Sequence, residues 1–251
     1  ATPVDLHAPL TIAAARAGKH VLCEKPMALN PEDCGRMIGA CKEAGVKLGV
    51  AYYRRFYPLI ARARGLMASG EIGKPALAQI NAFEYYNPPA DDSRFWFMKK
   101  ERSGGGPMFD FGCHRIEVFI NLFGNVAEVR SLMGNVAFER DVEDTAMALF
   151  RFESGVQGML AVTHASFVAQ DTLDIFCTDG ALRIPNLNAG VLNVHTRSGE
   201  RTETHPPHPN FHYPLIEEFI RAVREDREPA VNGTDGRAVN AVLKKIYSIN
   251  G

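Results

Sequence analysis

The chain has 251 residues, of which 46% are hydrophobic and 23% are charged, and both proportions are ordinary for a globular protein. Its 28 basic and 29 acidic side chains give a formal net charge of -1, which argues against a nucleic-acid or anionic-membrane partner. No apolar run approaches the roughly 20 residues that a membrane-spanning helix needs, the opening residues do not resemble a signal peptide, and the irregularly spaced cysteines predict the reduced thiols of a cytoplasmic protein.

The first fifty residues predict a parallel strand–helix–strand unit. Residues 7–17 form an alanine-rich helix that ends at a glycine, and residues 20–23 form a short buried strand. A second helix begins after Asn30, which can cap it, and ends near residue 44. The apolar residues 46–51 form the next strand, which a right-handed crossover places beside the first.

The chain opens with Ala1-Thr2-Pro3, which is typical of a loop leaving an earlier strand. The Gly-x-Gly-x-x-Gly pattern that binds dinucleotide phosphates does not occur in the 251 residues. We therefore expect residues 1–52 to be the later part of an open α/β domain whose earlier strands are absent from this sequence. A second domain is predicted over residues 53–251.

The second domain is predicted to be α+β with a mainly antiparallel sheet, because short alternating segments are separated by glycine turns. Gly104-Gly105-Gly106 is interpreted as a flexible hinge after a polar, aromatic loop at 88–102. We expect helices on one sheet face and, if the other face is apolar, a homo-oligomer (dimer or tetramer) formed through it. The predicted helices are 58–69, 108–122, 213–224 and 234–249, and the predicted strands are 76–84, 126–136, 144–152, 156–166, 172–178, 181–185 and 191–196.

The five cysteines are odd in number and irregularly spaced, and we expect reduced thiols. No cysteine pair has the spacing of a zinc site. His114 and Glu117 alone are two ligands without a third, so no metal site is predicted.

Three segments carry candidate chemistry. Glu24-Lys25-Pro26 follows the first strand, at the end where open α/β sheets bind ligands. A cis peptide bond before Pro26 would direct the Lys25 side chain into that crevice. The alternative is a surface lysine in a turn. Asp110 and His114 are four residues apart, so on one helix face the carboxylate would orient the imidazole of a general base. The alternative for that pair is a capping aspartate and a core histidine.

The third segment, residues 52–58, places tyrosines and arginines just beyond the second strand. Such groups can wall a sugar or nicotinamide pocket, or equally belong to an interface.

In chain order, the motifs resemble the Gfo/Idh/MocA oxidoreductase family, which includes glucose-fructose oxidoreductase and inositol dehydrogenase. The resemblance spans essentially the whole chain. It rests on Thr2-Pro3-x-x-x-x-His7, Gly18-Lys19-His20-Val21-Leu22-Cys23-Glu24-Lys25-Pro26, Tyr53-Arg54-Arg55-Phe56-x-Pro58, the triple glycine, Asp110-x-Gly112-x-His114, Glu143-Asp144-Thr145-Ala146 and the Asp235-Gly236 helix.

The resemblance implies hydride transfer between NAD or NADP and a hydroxyl or carbonyl of a sugar, polyol or related small molecule. It implies Lys25, His114 and Asp110 as catalytic residues, which together with Arg55 would also bind substrate. It further implies that the cofactor contacts the side chains of Thr2, Pro3, His7, Glu24, Lys25, Tyr52 and Trp96. Tyr52 departs from the family, where asparagine or another small polar residue is common.

The resemblance also implies that residues 1–52 are the C-terminal part of a Rossmann (dinucleotide-binding) domain whose first strands and helices lie outside this sequence. It implies that residues 53–251 bind substrate and mediate oligomerisation, with the last helix packing back on the first domain. Either the sequence is part of a longer protein, or a short product needs a partner or is inactive. Two alternative functions stay open on the sequence alone. One is a redox-assisted glycosidase that retains NAD, and the other is a non-catalytic, truncated subunit.

Overall fold

The computed structural model describes residues 2–248, and its N-terminal part is the predicted parallel unit. Helix α1 (His7–Arg16) leads to strand β1 (Val21–Cys23), and helix α2 (Pro31–Glu43) leads to strand β2 (Leu48–Val50). The strands pair in parallel, with Val21 opposite Leu48. The Asn30 side chain accepts the backbone N–H of Asp33, so the predicted cap of α2 is present. This part is Rossmann-like.

An eight-stranded sheet dominates the rest of the described chain. Its strand order is β10-β9-β8-β7-β3-β6-β5-β4. Only β3 and β6 pair in parallel among these strands, so the predicted mainly antiparallel sheet is confirmed. The strands are β3 (Pro75–Tyr85), β4 (Val126–Gly134), β5 (Thr145–Phe152), β6 (Gln157–Thr163), β7 (Ala165–Cys177), β8 (Gly180–Ile184), β9 (Val191–Thr196) and β10 (Gly199–Thr204).

Helices cover one face of this sheet. Phe119 of α6 lies edge-on to Phe150 and Phe152 of β5, at the centre of the apolar core. The last helix, α8, packs against α6 and β4 and also against α2 and β2 of the N-terminal part. The remaining helices are α3 (Pro58–Ser69), α4 (Lys100–Ser103), α5 (Pro107–Asp110), α6 (Gly112–Phe123), α7 (Tyr213–Arg224) and α8 (Gly233–Ser248). The predicted end of α8 at residue 249 lies outside the described residues.

The expected hinge at the triple glycine is wrong, because these glycines are packed rather than flexible. A Cβ on Gly106 would lie 1.9 Å from the carbonyl oxygen of Glu143, and one on Gly105 would lie 2.1 Å from the Tyr247 hydroxyl. The Glu143 carboxylate accepts the backbone N–H groups of Gly106 and Met108. The glycines are therefore needed for close approach of the backbone.

Several predicted boundaries also differ. The helix expected at 108–122 is two helices, α5 and α6, separated at Phe111. The strand expected at 156–166 ends at Thr163, where the His164 backbone bonds to Asp144. Residues 88–102 contain a 3₁₀ turn and α4 rather than loop alone, and β10 was not predicted. Within residues 2–248, none of the helices combines the length and apolar character that a membrane-spanning segment requires.

Candidate active site

Lys25 lies directly beyond β1 and forms an ion pair with a residue 85 positions further along the chain. The Lys25–Pro26 peptide bond is cis. The Lys25 Nζ donates to the Asp110 Oδ1 at 2.9 Å and to the Asp110 carbonyl oxygen at 3.3 Å. Burial opposes the ammonium charge, but the Asp110 carboxylate outweighs that effect and raises the pKa of Lys25 above its usual value. Lys25 is therefore a fixed cation.

His114 lies in the first turn of α6, buried between the rings of Tyr52 and Tyr53. The ring centroids are 5.7 Å and 4.9 Å from that of the imidazole. Burial, followed by the positive charges of Lys25 and Arg54, lowers the pKa of His114 well below 6.5. The imidazole is therefore neutral near pH 7 and able to accept a proton.

The predicted pairing of Asp110 with His114 differs from the structure. Among the described residues, no hydrogen bond joins the two side chains, and the buried Nδ1 of His114 has no partner. The reason is the break at Phe111, which places Asp110 at the end of α5 and His114 in a separate helix. Asp110 instead holds Lys25.

Lys25 and His114 share an open cavity of about 620 Å³ between the end of β1 and the large sheet. This volume suits a small polar molecule. Asp110 also lines the cavity, as do the following groups that the sequence analysis did not assign: Arg54, Glu84, Arg115, Asp171 and Asn188.

A second, smaller cavity of about 330 Å³ adjoins the first, because Lys25 and Asp110 line both. The indole of Trp96 stacks on Phe97 at a centroid distance of 3.8 Å and gives this cavity an aromatic wall. Of the predicted cofactor contacts, this cavity is lined by Thr2, Pro3, Glu24, Lys25 and Trp96.

Three predicted site residues lie outside both cavities. His7 is buried, with its ring nitrogens 3.0 Å from the Pro26 carbonyl oxygen and 3.1 Å from that of Thr2, so it supports the loops that carry cavity residues. Tyr52 is fully buried beneath His114. Arg55 binds Glu117 of α6 at 2.6 Å and Asp235 of α8 at 3.2 Å, so it joins elements instead of facing the cavities.

Of the two arginines in the segment 52–58, Arg54 lines the larger cavity and Arg55 does not. The sequence did point to this segment, but not to which arginine turns inward. Arg115 follows His114 directly and could have been found on that ground. Asp171 lies within β7 with no motif around it, and only the sheet register places it at the cavity. Within residues 2–248, no group of three or more His, Cys, Asp or Glu side chains is placed to hold a metal ion.

A Rossmann-like unit with a lysine just beyond its first strand, facing a neutral histidine of α6 across one cavity, is the arrangement of a nicotinamide-dependent oxidoreductase. Residues 1–52 match the family description "Oxidoreductase family, NAD-binding Rossmann fold", and residues 60–183 match "GFO/IDH/MocA C-terminal domain". The chain belongs to the Gfo/Idh/MocA family.

The chain is also similar in sequence to oxidoreductases with named sugar and polyol substrates. The chain is 31% identical over 240 residues to the 1,5-anhydro-D-fructose reductase of Ensifer adhaerens, covering 94% of this chain and 71% of the relative. It is 28% identical over 244 residues to the myo-inositol 2-dehydrogenase of Thermotoga maritima, covering 93% and 71%.

Among solved structures, the aldose-aldose oxidoreductase of Caulobacter crescentus in complex with glycerol superimposes with a TM-score of 0.90 at 28% identity. That alignment covers 99% of this chain and 75% of that one. A levoglucosan dehydrogenase in complex with NADH gives a TM-score of 0.89 at 26% identity, covering 99% and 76%.

Proposed function

We propose that this protein transfers a hydride between NAD or NADP and a hydroxyl or carbonyl group of a sugar or polyol, with Lys25 and His114 as its catalytic residues. The observation that supports this most directly is the placement of a fixed cation and a neutral imidazole in one cavity. The relatives named above act, by their names, on sugars, inositol and related compounds, and this supports the substrate class.

The smaller cavity fits the nicotinamide end of the cofactor. Its wall combines the stacked Trp96 and Phe97 rings with the backbone turn around Pro3, which suits a flat heteroaromatic ring. It lies beyond the carboxyl end of β1, where open α/β sheets bind dinucleotides. Thr2, Pro3, Glu24 and Trp96 would hold this end, and the bound nicotinamide supplies the hydride acceptor or donor.

Side chains of the protein then accept or return the proton of the substrate hydroxyl group. When an alcohol is oxidised, its C–H bond gives up a hydride, its O–H proton passes to the neutral His114, and a carbonyl group forms. Lys25, held by Asp110, donates a hydrogen bond to the reacting oxygen and stabilises the negative charge that develops there. In the reductive direction, the protonated imidazole returns the proton.

The raised pKa of Lys25 favours one of two roles for this residue. A lysine that shared the proton transfer would have to be deprotonated near neutral pH, as a buried lysine without a counterion can be. The ion pair with Asp110 favours the charged form instead. We therefore assign Lys25 to charge stabilisation and His114 to proton transfer.

The two alternative functions are less well supported. The relatives named above are dehydrogenases, a reductase and an oxidoreductase, which favours net oxidation or reduction over glycoside cleavage. A non-catalytic subunit would not need a lysine whose pKa is raised beside a histidine whose pKa is lowered.

We further propose a homo-oligomer formed through the sheet face that the helices leave open, and a domain boundary near residue 52. On the open face, the half-exposed Met147 and Leu149 of β5 lie beside Leu132 of β4, giving an apolar patch. The free thiols of all five cysteines fit a reducing compartment such as the cytoplasm.

The decisive experiment is a spectrophotometric assay of the purified protein with NAD and with NADP against a panel of aldoses, polyols, inositols and sugar acids. We expect formation of reduced nicotinamide with at least one member of the panel. Binding of the cofactor is measured separately by fluorescence titration. Tight binding without net reduction for any substrate would favour the glycosidase alternative, and absence of binding would favour the non-catalytic one.

A further inference from the structure

Two buried arginines line one wall of the larger cavity, and they share a single carboxylate, that of Asp171. Arg54 follows β2, Arg115 lies in α6 and Asp171 lies in β7, so three separate elements meet there. The side chains of the two arginines are only 5% and 7% exposed. Asp171 can neutralise one of these charges, and among residues 2–248 the other has no counterion of its own.

The hydrogen bonds show which arginine is less well paired. Asp171 Oδ1 accepts Arg115 Nε at 3.1 Å and Arg115 Nη2 at 2.7 Å. Its Oδ2 lies 3.4 Å from Arg54 Nη2 and also accepts Asn188 Nδ2 at 3.3 Å. Asp171 is therefore committed mainly to Arg115.

Arg54 keeps unused donor capacity. Its Nη1 bonds to the Tyr53 hydroxyl at 2.9 Å, and its Nη2 makes only two long contacts of 3.4 Å, to Asp171 and Asn188. Its buried Nε has no partner among residues 2–248. A buried guanidinium with unsatisfied donors is costly unless a ligand oxygen satisfies them.

The other charges lining the cavity do not neutralise Arg54. Asp110 is bound to Lys25, and the half-exposed Glu84 makes no hydrogen bond to either arginine among the described residues. The pKa of Arg115 is lowered, by burial first and then by the charge of Arg54, which agrees with an excess of positive charge.

We propose that Arg54, supported by Arg115, binds a carboxylate on the substrate, so that the substrate is a sugar acid rather than a neutral sugar. The planar guanidinium suits the two oxygens of a carboxylate, and the charge-assisted bonds gain strength in a buried site. Since Arg54 lines the same cavity as Lys25 and His114, one molecule would present its carboxylate to Arg54 and its reacting hydroxyl to Lys25. This inference rests on the proposed function for the identity of the reacting end.

The test compares sugar acids with their uncharged amides in the NAD-loaded protein. D-glucuronate, D-galacturonate and D-gluconate are each paired with the corresponding amide, which has nearly the same shape but no charge. Isothermal titration calorimetry measures binding, and the nicotinamide absorbance measures turnover. We expect at least one acid to bind about 10-fold or more tightly than its amide.

The Arg54→Gln variant keeps a polar side chain and should reduce that preference to about threefold or less. Arg62→Gln removes an arginine that pairs with Glu203 outside the cavity, and should leave the preference intact. Thermal melting checks that both variants fold. If Arg54→Gln does not fold, the comparison of acid with amide in the wild-type protein still tests the proposal.

The outcomes separate the two proposals. If every acid binds less than about 10-fold more tightly than its amide while neutral sugars are oxidised, the inference fails and the proposed function stands. If an acid binds with the expected preference but no substrate in the panel reduces NAD, the carboxylate site stands and the proposed function fails.

Discussion

Lys25 and His114 occupy the same cavity yet have pKa values shifted in opposite directions, and the difference lies in their nearest partners. The His114 side chain is buried and that of Lys25 is only 20% exposed, and this removal from water alone would favour the neutral form of each. Lys25 has the Asp110 carboxylate at 2.9 Å, and this partner restores its charge. His114 has aromatic rings and positive charges around it, so burial prevails and the imidazole stays neutral. A fixed cation and a free base are what alcohol oxidation requires.

Replacing Lys25 by Ala should lower the rate constant of hydride transfer about 100-fold or more. The reason is the loss of the ammonium group that faces the reacting oxygen, while the stacked rings of the cofactor cavity stay in place. Single-turnover stopped-flow absorbance at saturating cofactor measures the rate, and fluorescence titration measures cofactor affinity, which we expect to change little.

Lys19, an exposed lysine in the turn after α1, is the matched control, and Lys19→Ala should behave as wild type. A Lys25→Ala variant that transfers hydride at the wild-type rate would remove Lys25 from the catalytic assignment.

The pH dependence of alcohol oxidation should reflect the low pKa of His114. The active form is the neutral imidazole, and lowering its pKa extends that form to lower pH. The rate constant should therefore stay level as pH falls from 8 to 6.5, and decline only when pH falls through the shifted pKa. Single-turnover rates in a series of buffers measure this. A decline centred at the ordinary histidine value of 6.5 would contradict the burial argument.

His114→Asn should lower the rate about 100-fold or more and abolish this acidic decline, because asparagine cannot accept the proton. An unchanged pH profile in that variant would assign the titration to another group. A wild-type rate in both the His114 and Lys25 variants would leave the family membership without a mechanism.

Elements with their own start and stop residues were predictable from the sequence alone. Helix α3 begins at Pro58 and ends before Gly70, which has a φ of +77°, and the prediction matched both ends. Strand β10 was missed because Gly199–Thr204 is polar and almost wholly exposed along its length, so it carries no alternation of apolar residues.

The part of the site that depends on distant contacts was not predictable. Local spacing paired Asp110 with His114, but the structure pairs it with Lys25, 85 residues away. Similarly, Arg54 and Arg55 are adjacent in the sequence, and only the packing of α6, α8 and the sheet decides that Arg54 faces the cavity. Sequence motifs pointed to the segments that line the candidate site, whereas contacts between distant elements determine which partner each side chain has.

The triple glycine gives a prediction at the level of elements, because it fixes α5 against the Glu143 backbone. Gly106→Ala should destabilise the protein by about 3 kcal/mol or more, since the added methyl group would lie 1.9 Å from the Glu143 carbonyl oxygen. Urea unfolding followed by circular dichroism measures the change.

Gly39→Ala is the control for that substitution. Gly39 lies in α2 with nothing within 4 Å of the added methyl group, so alanine should be neutral or should stabilise the helix by about 0.5–1 kcal/mol. Equal effects of the two substitutions would restore the flexible-hinge interpretation of the triple glycine.

At the scale of the whole molecule, the two faces of the large sheet differ in how far their apolar side chains are exposed. Helices cover one face, on which the inward side chains of β5 are buried, whereas the other keeps Leu132, Met147 and Leu149 at 47–70% exposure. Leu132 lies opposite Met147 in the strand pairing, and Leu149 lies opposite Met159, so the apolar side chains are contiguous over three strands. A contiguous apolar patch on an open sheet face is suited to a symmetric contact with a second copy.

Introducing charge at the centre of this patch should therefore separate the copies. The double substitution Met147→Lys and Leu149→Lys places two cations per chain on a face that would meet its own equivalent, where like charges repel and ammonium groups lose water. Sedimentation velocity should show a dimer or tetramer for the wild type and a monomer for the variant. The pair Arg183→Lys and Glu128→Asp, at an exposed and a half-exposed position of the same sheet with charge conserved, serves as control. If the wild type sediments as a monomer across micromolar concentrations, or if the lysine variant keeps the wild-type mass, the open sheet face is not the oligomer interface.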